Sequence, residues 1–156
     1  MNWLMIVLRL VHIGGGAMWV GMMAFVTFYL TPALNEVGPD AGKVMQALQK
    51  QKIMIVMPVL ALLTIISGLW MMSRLYAGPS DFAASRMGMA LNIGAVSAIL
   101  AFVIGIVVMR PLMMKAMTAT DPAEAQRLRN RSNSLSRWVA RLLMLALAAM
   151  AVARYL

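Results

Sequence analysis

Four stretches of this chain stay apolar for as long as a bilayer is thick: about 3–31, 53–76, 88–109 and 135–155. A helix rises about 1.5 Å per residue, so roughly 20 apolar residues cross the hydrocarbon core. No water reaches a peptide group there, and a helix satisfies its backbone within one segment. The expectation is an all-α integral membrane four-helix bundle, a single transmembrane domain over 1–156. Composition agrees, with 62% apolar and 12% charged residues, against roughly half and a quarter in soluble domains. The first run is longer than a signal-peptide core and no small-x-small site ends it, so it reads as a retained span.

The charges lie between these runs. The connections 32–52 and 110–134, with their flanks, hold Lys43, Lys50, Lys52, Arg110, Lys115, Arg127, Arg129, Arg131, Arg137 and Arg141. The other side holds Arg9, Arg74, Arg86 and Arg154. Ten against four puts both connections in the cytoplasm and both termini outside. A formal charge of +9 is then topogenic and lipid-anchoring, and nucleic-acid binding is excluded. With no cysteine, disulfides, thiolate metal sites and cysteine nucleophiles are excluded too.

Helices two and four are expected to begin two or three turns before the membrane. Pro39 suits a first helical turn beside Asp40. Asp121, Pro122 and Glu124 repeat the arrangement as N-cap, first residue and first-turn acid. Pro58 should kink the second span. A shift of 77 lays Arg9 on Arg86 and Ala24-Phe25-Val26 on Ala101-Phe102-Val103. A shift of 80 lays Leu62-Leu63 on Leu142-Leu143 and Arg74 on Arg154. The expectation is two similar hairpins about a pseudo-twofold axis, with spans one and three diagonal.

"LRLVHIGGGAMWVG", residues 8–21, holds the only histidine, His12. An ionisable side chain inside a span ordinarily faces the bundle interior. A neutral imidazole there offers one nitrogen as ligand while the other needs an acceptor. Gly15, Gly16 and Trp19 lie on its face of the helix. Gly16 leaves a flat space beside the ring, for a neighbouring helix or for a planar macrocycle. Gly14, Ala17 and Gly21 form a small-residue stripe of the kind that packs membrane helices, and a homodimer through that face is one reading. Under the 77-residue shift His12 falls on Met89. A His/Met pair is a known axial set for haem iron, and imidazole with thioether also suits copper. Arg9, Arg74, Arg86 and Arg154 would meet haem propionates or, more simply, lipid headgroups.

Eighteen methionines include Met71, Met72, Met87 and Met89 near the outer face, as soft metal ligands or as flexible packing. All five acids lie in the connections, against a carboxylate proton relay. Asn92, Ser67, Thr64 and Ser97 are the main polar groups within spans. Walker loops, serine triads and paired carboxylates are absent.

"LRLVHIGGGAMWVGMMAFVTFYLTPAL" resembles the first span of the CopD-like membrane proteins. "PVLALLTIISGLWMM" resembles their second, and "RPLM" and "RLRNRSNSLSRW" resemble the flanks of the third and fourth. The resemblance implies a bacterial inner-membrane protein with both termini periplasmic. It implies either copper handling with a periplasmic metal-binding partner or, as in the HemJ-type proteins, haem b held through the first-span histidine. Of the family's functional positions only His12 carries over; HemJ-type proteins have a lysine in span three where Leu91-Asn92 stand here. A different class also stays open, a non-catalytic accessory or assembly subunit of a larger membrane complex.

Overall fold

The computed structural model describes residues 2–38, 41–78 and 81–156. No strand occurs among them, and four helices are long and apolar enough to cross a membrane. The first is α1 (Trp3–Phe25), whose N-terminal N–H of Met5 donates to the Asn2 side chain. It runs through a π-helical turn, Val26–Leu30, into α2 (Thr31–Val37) and ends at Gly38, with φ of 70°. The second is α4 (Ile53–Tyr76). The third is α5 (Arg86–Val103), capped by Ser85 accepting from the Gly88 N–H at 3.0 Å. It too passes through a π-helical turn, Ile104–Met109, into α6 (Arg110–Thr118). The fourth is α7 (Pro122–Val152), with a closing 3₁₀ turn, Ala153–Tyr155.

The π turns make spans one and three longer than expected. Both apolar runs stop at a proline, Pro32 or Pro111, and proline cannot donate to the carbonyl four residues back. Here the residue before each proline reaches five back instead. Thr31 N–H donates to the Val26 carbonyl, and Arg110 N–H to the Gly105 carbonyl. One widened turn absorbs the break, so each helix continues into a polar end.

The long fourth helix is as expected: the Asp121 carboxylate accepts from the Ala123 N–H at 2.9 Å, Pro122 is first and Glu124 lies in the first turn. The second differs. A separate amphipathic helix, α3 (Ala41–Lys50), precedes it, and Lys52 at φ of 58° breaks the rod. Pro39 and Asp40 lie outside the described residues. Gln49 Nε2 donates to Met117 Sδ at 3.2 Å, tying α3 to α6.

Helix α1 packs chiefly on α4, and α5 on α7. The hairpins join through α4 against α5 and α1 against α7, so spans one and three lie diagonally. Both termini share one end of the bundle with residues 81–85; α2, α3 and α6 share the other. Trp19, Met23, Ala61, Ala101, Val139, Ala140 and Leu143 form the central core. Large apolar side chains such as Val7, Leu10 and Phe25 face outward. Between lipid-bathed helices van der Waals fit matters more than apolar burial, and small residues allow it. Ser132, Ser136, Ala140, Ala146 and Ala149 give α7 such a face.

Candidate functional site at His12

A cavity of about 510 Å³ opens at the terminus end, lined by residues of all four membrane helices. That volume falls within the roughly 300–1,000 Å³ of small-molecule sites. Its walls are almost wholly apolar. Arg9, His12 and Thr64 are the polar side chains on them, beside the Trp19 indole. Five thioethers also line it: Met5, Met71, Met72, Met87 and Met150.

Half-buried His12 sits on α1 against α4, where its Nδ1 lies 2.8 Å from the Thr64 carbonyl oxygen. A carbonyl only accepts, so Nδ1 carries the hydrogen in the neutral ring. The lone pair is thereby assigned to Nε2, which has no hydrogen-bond partner among the described residues. This is the arrangement by which proteins fix a histidine as a ligand: one nitrogen tied to the backbone, the other bare.

Helix α4 is shaped to receive the ring. A Cβ at Gly68 would lie 2.6 Å from His12 Cε1 and 2.9 Å from Nδ1, so only glycine leaves room. The hydroxyls beside it bond back to their own helix. Thr64 Oγ1 donates to the Leu60 carbonyl at 2.8 Å, and Ser67 Oγ to the Leu63 carbonyl at 2.6 Å and the Thr64 carbonyl at 3.1 Å. The Thr64 carbonyl thus accepts from both Ser67 and His12.

The glycine run divides its work. A Cβ at Gly15 would meet Thr64 Oγ1 at 2.8 Å, and one at Gly16 would meet Thr64 Cγ2 at 3.3 Å, so these two let α1 close on α4. Gly16 also lines the cavity. Gly14 and Gly21 meet nothing within 4 Å, so the stripe with exposed Ala17 does not pack inside the bundle.

Of the residues read from the sequence, His12, Gly16, Arg9, Met71, Met72 and Met87 come together on one cavity. Met89, Arg86, Arg74 and Arg154 do not line it. Met89 is 49% exposed, and the reason is register. The two π turns begin 78 residues apart, at Val26 and Ile104. The cavity faces match at the same offset, with Arg9, Ile13, Ala17 and Val20 of α1 answering Met87, Leu91, Ala95 and Ala98 of α5. A slip of one residue turns a helix position by about 100°. The counterpart of His12 is therefore Ala90, buried in the second hairpin. Asn92 is taken elsewhere, its Oδ1 accepting from the Tyr76 hydroxyl at 2.5 Å.

Among the described residues no three His, Asp or Glu side chains gather around one point, so a cage of hard or imidazole ligands is not formed. What the site can offer a metal is one imidazole nitrogen and surrounding thioethers. Comparison with protein-family models, with curated proteins and with solved structures gives no match. The functional reading therefore rests on this chain's own residues.

Proposed function

We propose that this multi-pass membrane protein binds a metal centre through His12 Nε2, in the cavity at the end of the bundle that holds both termini. The observation that carries the reading is the 2.8 Å contact of Nδ1 with the Thr64 carbonyl, which leaves the second nitrogen bare. The form that best suits the cavity is haem b. About 510 Å³ of nearly apolar space is far more than an ion needs, and a macrocycle would fill it. Gly16 lines the cavity, and Arg9 stands on the wall to meet a propionate. A methionine of the cavity wall would be a second ligand.

Copper(I) is the second reading, favoured by the five thioethers around the same cavity. Both readings accord with the resemblance to the CopD-like proteins, and with it a bacterial inner membrane, the termini periplasmic by the distribution of Lys and Arg.

An optical spectrum and a copper assay of protein purified without chelators test this. The haem reading expects a Soret band, sharp α-bands on reduction, and loss of both in His12→Ala. Stoichiometric copper without a chromophore, lost in the same variant, selects copper. If neither group co-purifies, the proposal fails and an accessory or assembly subunit is the surviving account.

A further inference from the structure

A second cavity, of about 220 Å³, lies at the opposite end of the bundle, and Trp19 is the wall common to both. Its sides lie around the two π turns: Val26 and the following Thr31 from one hairpin, Gly105, Ile106 and Met109 from the other. The floor is apolar, with Trp19, Met23 and Met57. The rim is polar, with Arg110, Thr31, Ser132 and Asn133. Among the described residues no acid lines it.

Two polar side chains here have no partner among the described residues. The Arg110 guanidinium makes no hydrogen bond or ion pair with any described residue. Ser132 is 3% exposed, and its hydroxyl likewise has no partner among the described residues. Arg110 directly follows the third apolar run, and this end carries most of the chain's positive charge.

We infer that this cavity binds one anionic phospholipid, its phosphate held by Arg110 and Ser132 and part of an acyl chain laid against Trp19. A cation and a free hydroxyl at the rim suit phosphate oxygens, as in the basic pockets between membrane helices. A soluble anion would leave the apolar floor empty, whereas an amphiphile matches both ends. The volume is below that of ordinary ligand pockets and suits part of one chain rather than a whole lipid.

Trp19 can report on this, because it is 6% exposed while Trp3, Trp70 and Trp138 are 67%, 49% and 58% exposed. Replacing those three with Phe leaves one tryptophan that bulk lipid cannot touch. In vesicles of phosphatidylglycerol with brominated chains, its fluorescence should be quenched, and much less in brominated phosphatidylcholine. Arg110→Gln should abolish that preference. Gly105→Leu should abolish the quenching, because Gly105 lines the cavity and a Cβ there meets nothing within 4 Å. An unchanged Trp19 emission maximum without bromine shows that each variant is folded. Equal quenching by both lipids, no quenching, or quenching that survives either substitution overturns the inference. Survival in Gly105→Leu would mean that a chain reaches Trp19 from the His12 side.

Discussion

The two hairpins share a scaffold and differ in chemistry. Each pairs a proline-interrupted helix bearing a π turn with a helix that packs against it. In α1 and α4 the contact is polar: His12 meets a backbone carbonyl, and Gly68 makes room for the ring. In α5 and α7 the corresponding layer is alkyl and thioether. Ala90 stands where His12 does, and Gly94 faces Met150. The scaffold therefore does not require the imidazole, since the second hairpin closes without one. A polar group that packing does not need, held in one tautomer, points to use.

The largest effect that would sharpen this contrast is expected at Gly68. In Gly68→Leu the new side chain overlaps the imidazole, so the ring must leave its place. Metal content should fall to background, and stability should fall by about 1–3 kcal/mol or more, as for other overpacked contacts. Unfolding in mixed detergent and the bound-metal assay together read both. Retained metal would show that the pocket for the ring is not specific.

Next comes His12→Ala. Metal should be lost as completely, yet the stability cost should be small. Hydrogen bonds between membrane helices are worth about 0.6–2 kcal/mol. A collapse of the fold would mean that His12 is there for packing, which breaks the contrast between the hairpins.

In the second hairpin, Gly94→Ala should cost about 1 kcal/mol or less and leave metal content unchanged. The nearest atoms to its Cβ would be Met150 Cγ at 3.0 Å and Cε at 3.2 Å, on a side chain free to swing aside. The nearby Ala146 carbonyl, at 3.3 Å, sets the limit.

The smallest effect belongs to Met89→Leu. This outward side chain should change stability by less than about 0.5 kcal/mol and leave the optical spectrum untouched. Met87→Leu, on the cavity wall, is the informative partner. A spectrum altered by Met89→Leu but not by Met87→Leu would restore the 77-residue register.

The spans were legible because hydrocarbon thickness imposes a length that apolar runs display directly. Their ends were not. Pro32 and Pro111 carry the ordinary stop signal, but a π turn spreads the lost hydrogen bond over one extra residue and the helix goes on. The break at Lys52 was hidden because nothing in "QKQKIM" marks a residue for a left-handed conformation. At the site, His12 stood out as the lone imidazole in an apolar run. Its partner did not, because every residue has a carbonyl. The nearby "TIISG" of span two held the available signal: two back-bonding hydroxyls and a glycine on one face. Met89 was misplaced by a single step of register, which hydropathy alone does not fix among so many similar residues.

The oxygen that holds His12 belongs to a peptide group, and peptide groups do not take up protons near neutrality. Were the ring to gain a second hydrogen, the one facing Thr64 would have nowhere to go. Any exchange of charge must enter and leave by the cavity side. The imidazole is thus a dead end for protons rather than a link in a wire.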